Sequence, residues 1–273
     1  MEEEVFNLGV IAGSRYFRKR RSERCSGKGV QRNALPDLRK TKDDELVREA
    51  RRSFRLSHER FPKTLYENVI EKVTRNRKKG PFVATSGLKL DYYLNASTNF
   101  LDKRVASDIV SLLSHALEFV VIPWISKDDI PLCIVGPEMA GGAMVSQLCT
   151  SDFSSRVDDV EFVYMRKKRK TSGTLQQLEG PQSITSRDAK STPMHAIWID
   201  DCLSSGGSSV EGLNILRRDY NIDVKAMLFL IDRHEDRMKV SESRLISNFK
   251  ALRDVFVCSI YDMSDIAKVI ASE

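Results

Sequence analysis

At 273 residues the chain is about twice the length of a common domain of ~150 residues, which allows one elaborated domain or two small ones. Its 41% hydrophobic and 30% charged residues exclude collagen-like and wholly disordered readings. Set against 38 acidic residues, 44 basic ones leave a net charge of +6, enough to attract phosphate groups but not in itself a sign of nucleic-acid binding.

The acidic start Met1-Glu2-Glu3-Glu4, followed by an apolar stretch and then by Arg15 and the run Arg18-Lys19-Arg20-Arg21, has the reverse order of a secretory signal, so a cytoplasmic location is expected. No continuous apolar run reaches the ~18 residues that span a bilayer, and no membrane association is expected. Residues 1–60 read as a basic, partly irregular extension. It is either a solvated tail or an arm that contacts a polyanion, since Lys/Arg clusters bind phosphate backbones without needing a fold. Residues 61–273 read as the folded domain. The five cysteines (Cys25, Cys133, Cys149, Cys202, Cys258) are scattered, with no paired spacing and no nearby histidine cluster, so reduced thiols are expected rather than disulfides or a zinc site.

Helical periodicity begins within the extension at Leu46, Ala50 and Phe54 and resumes after Pro62 with Leu65, Val69, Ile70 and Val73 on one face. Beyond Gly80 short apolar runs alternate with helical stretches, the pattern of a mainly parallel sheet with crossover helices. The expected strands are 82–84, 92–95, 132–135, 162–165, 196–199, 226–231 and 255–259. The expected helices are 103–120, 142–149, 208–218 and 241–253.

The densest chemical signal is Ala196-Ile197-Trp198-Ile199-Asp200-Asp201-Cys202-Leu203-Ser204-Ser205-Gly206-Gly207-Ser208-Ser209. It is a strand, two carboxylates, a small-residue loop and then a helix. Glycines let a backbone approach a phosphate closely, hydroxyls donate to it, and the helix start offers free amide protons and partial positive charge. Taken alone, the same loop could be a plain turn in which serines cap the helix.

At these residues the chain resembles the type I phosphoribosyltransferases, whose acidic pair and Ser/Thr-Gly loop hold phosphoribosyl pyrophosphate (PRPP). Phe82-Val83-Ala84-Thr85-Ser86-Gly87-Leu88-Lys89-Leu90-Asp91-Tyr92-Tyr93-Leu94-Asn95 is similar to an element of the orotate branch. Ile134-Val135-Gly136-Pro137-Glu138-Met139-Ala140-Gly141-Gly142 resembles the pyrophosphate loop. The segment from Phe162 through Arg166-Lys167-Lys168-Arg169-Lys170 to Gly173 resembles the basic start of the mobile hood loop, and Leu230-Ile231-Asp232-Arg233 the Asp-Arg that reaches the base. These segments stand in the family's order across roughly 63–273.

The resemblance implies an α/β type I phosphoribosyltransferase fold, a mainly parallel central sheet flanked by helices with a hood and mobile loop. It also implies Mg²⁺-dependent transfer of phosphoribose from PRPP to orotate or a related pyrimidine base, as in pyrimidine biosynthesis, and a homodimer. Carried over by position, Ser204, Ser205, Gly206, Gly207 and Ser208 would cradle the 5-phosphate, and Asp200 and Asp201 would hold the ribose hydroxyls and Mg²⁺. Lys89, Arg166, Lys167 and Lys170 would surround the pyrophosphate, with Lys170 and Lys89 in catalytic roles, and Arg233 and Tyr93 would meet the base.

Two positions depart from that pattern. Ala140 stands where orotate enzymes carry a lysine in the pyrophosphate loop, and Ser172 where the hood loop carries a histidine. Losing one such contact costs about 2–4 kcal/mol of transition-state stabilisation. A protein that binds PRPP without turning it over, as a sensor, a regulator on nucleic acid or a structural component, is therefore the alternative reading.

Overall fold

The structure, a computed structural model, describes residues 55–83, 89–94, 96–125, 130–157, 159–171, 176–233 and 241–273. The basic run at Arg18–Arg21, the helical pattern at Leu46, Ala50 and Phe54, Cys25, Ser172 and His234 lie outside them.

Helix α1 (Lys63–Arg75) starts after Pro62, whose fixed φ suits a helix entry, and turns Tyr66, Val69, Ile70 and Val73 inward. Strands β1 (Arg77–Val83) and β2 (Lys89–Leu94) form a separate antiparallel hairpin with an irregularity between Lys79 and Phe82. The strand begins at Arg77 rather than at Phe82 because the ladder already pairs Arg77 with Leu94 and Lys78 with Tyr93, a contact that the basic composition conceals.

The long helix α2 runs over Lys103–Ile125 with a π-helical turn at Leu117–Val121. Asp102 caps its start by accepting from the amide of Arg104. Among the described residues α2 alone is long and apolar enough to cross a membrane by length and composition. Its apolar face is nevertheless spent inside the protein, with Ile109, Leu112, Leu113, Ala116, Leu117 and Val121 fully buried, so it is a core helix here. Asp108, Ser111, Ser114, His115 and Glu118 keep the segment from reading as a continuous apolar run.

The remaining elements build one six-stranded sheet. Strands β3 (Leu132–Pro137), β4 (Val160–Met165), β5 (Leu178–Glu179), β6 (Met194–Leu203), β7 (Ile222–Asp232) and β8 (Phe256–Asp262) are ordered β5-β4-β3-β6-β7-β8. All neighbours are parallel except β5, which is antiparallel to β4. The mainly parallel sheet expected from the alternation of runs is present. Parallel strands covered on both faces read as unbroken apolar stretches, and Ala196 to Ile199 is such a stretch, buried throughout.

Helices α3 (Ala140–Thr150), α4 (Gly207–Tyr220), α5 (Glu242–Ala251) and α6 (Met263–Ala271) pack on the sheet, and short helical turns at Ala96–Asn99, Asp152–Arg156 and Gln182–Thr185 lie between the longer elements. One apolar cluster joins α1, α2, α3 and α6 to one face of the sheet; the other joins α4 and the end of α5 to the opposite face. Helix α4 comes especially close at Gly212, whose missing side chain leaves room for the indole of Trp198. At the β8 edge, Arg55 forms a parallel bridge with Ser259, and the amide of Leu56 donates to the Ser259 carbonyl at 2.7 Å. Leu56 and Phe61 are buried in the first cluster, so the stretch from Arg55 to Phe61 packs with the sheet.

Candidate active site

Parallel strands deliver their carboxyl ends to one edge of the sheet, and loops leaving that edge form a crevice where neighbouring crossovers diverge. The candidate site is assembled there, from β3, β4, β6 and β7.

Asp200 and Asp201 are the first residues of β6 at which the fully buried run gives way to partial exposure. The amide of Asp201 donates to Oδ1 of Asp200 at 2.9 Å, which turns the first carboxylate back over the strand. Burial and the charge of Asp201 push the Asp200 carboxyl well above the ordinary aspartate range. Burial also raises Asp201, against hydrogen bonds that favour its charged form and the nearby guanidinium of Arg233. Two carboxylates forced together away from water make a site that gains from a cation or from hydroxyl donors. Arg233 reaches this edge because its amide donates to the carbonyl of Leu203 at 2.8 Å, which extends the pairing of β7 with β6.

Past Leu203 the chain turns through Ser204, Ser205 and Gly206 into α4. Gly206 has φ 77°, the left-handed region that glycine enters without penalty, and its carbonyl accepts from Val210 at 3.0 Å. Helix α5 braces this loop: Asn248 donates from Nδ2 to the carbonyl of Ser205 at 2.8 Å. A side chain placed at Gly207 would stand in ordinary contact with Nη2 of Arg244, Nδ2 of Asn248 and Oγ of Ser205, each at 3.7 Å. Ser208 is exposed beside it.

The segment expected to form the pyrophosphate loop leaves β3 at Pro137, with a cis peptide between Glu138 and Met139, and enters α3 at Ala140. Gly141 sits so near β6 that a side chain on it would come within 2.5 Å of the carbonyl of Ile199, the residue before Asp200. Ala140 is buried in the first apolar cluster, whereas Met139 is exposed.

The basic segment follows β4. Glu138 ties it to the previous loop: its amide donates to the Met165 carbonyl at 2.8 Å, and its carboxylate accepts from the amide of Lys167 at 3.0 Å. Arg166 lies over the ring of Tyr164 with 5.9 Å to the centroid. Nε of Arg166 and Nζ of Lys170 both contact Oε1 of Glu179, at 2.8 and 2.6 Å. Lys168 and Arg169 are exposed.

The structure thus gathers Asp200, Asp201, the Ser204–Ser208 turn and Arg233 at the ends of β6 and β7. It gathers Arg166, Lys167 and Lys170 at the end of β4, with β3 between the two groups. Lys89 and Tyr93 belong to the β1–β2 hairpin by backbone pairing, and their side chains lie outside the described part. Reading the sequence missed four residues that organise these groups: Glu138, Glu179, Arg244 and Asn248. Glu179 stands nine residues beyond Lys170, and the pairing of β5 with β4 brings it back to the basic segment. Arg244 and Asn248 had no local signal, since only the packing of α5 brings them to the loop.

No protein-family model matches the chain. It is 26% identical over 158 residues to the orotate phosphoribosyltransferase of Methanosphaera stadtmanae, an alignment that covers 58% of this chain and 75% of that one. It is 24% identical over 191 residues to the orotate phosphoribosyltransferase of Pyrococcus horikoshii, covering 70% and 89%. Among solved structures it superposes on Mycobacterium tuberculosis orotate phosphoribosyltransferase with a TM-score of 0.51 at 16% identity, covering 74% of this chain and 98% of that one. The Trypanosoma brucei adenine phosphoribosyltransferase complex with AMP, pyrophosphate and ribose-5-phosphate gives 0.51 at 14% identity, covering 77% and 84%.

Proposed function

From a chain that has the type I phosphoribosyltransferase fold and orotate phosphoribosyltransferases among its sequence relatives, we propose a transferase that moves phosphoribose from PRPP to orotate or a related pyrimidine base. The observation that carries this reading is the Asp200–Asp201 pair at the mouth of a Ser-Gly turn that opens a 14-residue helix. The fold alone does not choose the base, because the adenine enzyme shares it. The choice of a pyrimidine carboxylate rests on Arg233, held at the same edge as the acidic pair.

In this reading the amides and hydroxyls of Ser204 to Ser208 hold the 5-phosphate, with the α4 dipole behind them. Asp200 and Asp201 accept hydrogen bonds from the ribose hydroxyls and so orient the anomeric carbon. Arg166, Lys167 and Lys170 neutralise the pyrophosphate as it departs, and Lys89 joins them from the hairpin. Tyr93 and Arg233 face the base, the guanidinium pairing with its carboxylate.

Among the described residues no group of three or more His, Cys, Asp or Glu could hold a metal ion unaided. Two aspartates with raised pKa values fit an ion that takes most of its oxygens from substrate and water, as Mg²⁺ does. Mg²⁺ bound there would supply Lewis-acid neutralisation of phosphate charge.

One observation favours a second reading. Ala140, at the position where the resemblance calls for a lysine, is buried and carries no charge to the pyrophosphate. A protein that binds PRPP but turns it over slowly or not at all, as a sensor or scaffold, fits that loss. A homodimer, a cytoplasmic location and a polyanion contact through residues 1–60 complete the proposal.

The test is release of pyrophosphate from PRPP and Mg²⁺ with orotate, uracil, hypoxanthine and adenine offered separately. A Ser205→Asp/Gly206→Asp variant serves as the control that blocks the phosphate turn. Turnover with orotate, lost in the control, supports the transferase. Silence with every base beside retained PRPP binding supports the sensor or scaffold.

A further inference from the structure

Glu179 faces two of the cations assigned above to the pyrophosphate, and both meet it on the same oxygen. Nε of Arg166 lies 2.8 Å and Nζ of Lys170 2.6 Å from Oε1. The register of the antiparallel β4–β5 ladder, Tyr164 with Glu179 and Met165 with Leu178, fixes the carboxylate beside the end of β4. Two hydrogen bonds between the amide of Arg166 and the Gln177 carbonyl, and between the side chain of Gln177 and the Arg166 carbonyl, hold the strand ends together. All three charged side chains keep about a third of their surface in solvent. Such a pair is weak and easily exchanged.

We propose that Glu179 is a resident counter-ion of the pyrophosphate subsite. It gathers Arg166 and Lys170 onto one carboxylate oxygen while the subsite is empty and yields both to a diphosphate. This inference rests on the assignment of those two cations to pyrophosphate. A single carboxylate cannot compete with a ligand bearing several negative charges for the same two donors, so arrival of the ligand breaks both contacts. When the diphosphate leaves, Glu179 retakes the cations, which spares two unpaired positive side chains and lowers the barrier to release. The cost is affinity: each binding event must first separate the ion pairs.

The experiment is calorimetric titration of inorganic pyrophosphate, with magnesium chloride at fixed ionic strength, into wild-type protein and into Glu179→Gln, Glu179→Asp, Lys170→Met and the Glu179→Gln/Lys170→Met double variant. The expected result is that Glu179→Gln binds about tenfold more tightly, Glu179→Asp binds like wild type, and the gain from Glu179→Gln shrinks once Lys170 is gone. Glu179→Ser replaces Glu179→Gln should the amide disturb the β4–β5 ladder. Unchanged or weaker binding in Glu179→Gln, or an equal gain with and without Lys170, overturns the counter-ion role while leaving the subsite assignment in place. Wild-type protein that takes up no pyrophosphate overturns the assignment and the counter-ion role together.

Discussion

The amide of Asp201 donates to Oδ1 of Asp200 at 2.9 Å, so the peptide of one acidic residue restrains the carboxylate of the other. That hydrogen bond does not offset what burial and like charge cost the pair, and the Asp200 carboxyl stays well above its ordinary range.

Asp200→Asn is therefore expected to separate stability from function. A group whose folded pKa is raised costs stability at any pH above that value, and the cost fades as falling pH protonates it in the folded state. The variant should melt a few degrees above wild type at neutral pH, with the gap closing under mildly acidic conditions in a calorimetric scan. Its pyrophosphate release should fall by roughly 10²-fold or more.

Asn248→Ala removes the donor that braces the carbonyl of Ser205 from α5. A hydrogen bond of this kind contributes about 0.5–1.5 kcal/mol. PRPP affinity measured by calorimetry should drop several-fold while the melting temperature moves little. An unchanged affinity would show that α5 does not shape the turn.

Gly212→Val places a branched side chain where α4 already touches the indole of Trp198. Overpacking of this type costs about 1–3 kcal/mol. The denaturation midpoint should fall accordingly, with the denaturant slope unchanged.

Thiol chemistry should discriminate sharply among the cysteines of the described residues. Cys149 is exposed, Cys202 partly so, and Cys133 and Cys258 are buried. Burial pushes the Cys133 thiol up to about 12 and Cys258 above the ordinary thiol range. Iodoacetamide followed by mass spectrometry should modify Cys149 first and leave Cys133 and Cys258 untouched until the protein unfolds.

Where sequence and structure agree, the information was local. The strand at Ala196 to Ile199, its acidic pair and the Ser-Gly turn are adjacent along the chain, and the structure keeps them adjacent in space. Helix α6 was legible but unread: Asp262 and Asp265 form a reciprocal capping box, and Ile266, Val269 and Ile270 continue on one face. Strand β5 was not legible, since two residues cannot display a period and their pairing depends on β4. The basic run at Arg166 to Lys170 announced charge but not its partner, because only the pairing of β5 with β4 brings Glu179 back to it. Arg77 to Lys79 precede the strand expected at 82–84 and are themselves strand, an effect of cross-strand pairing overriding composition.

Trp198 and Trp124 are the chain's only tryptophans, and the fold places them in opposite surroundings. Trp198 is two residues from Asp200, enclosed beneath α4, and its indole Nε1 meets no hydrogen-bond partner among the described residues. Trp124 sits at the end of α2 with 37% of its surface exposed, stacked on Phe256 of the edge strand β8 at 4.7 Å between ring centres. The protein thus carries two intrinsic fluorophores of different colour, one emitting from dry surroundings beside the acidic pair and one from a wet rim. Unfolding that begins at the β8 edge would alter the red component first, and loosening of the helix behind the phosphate turn the blue.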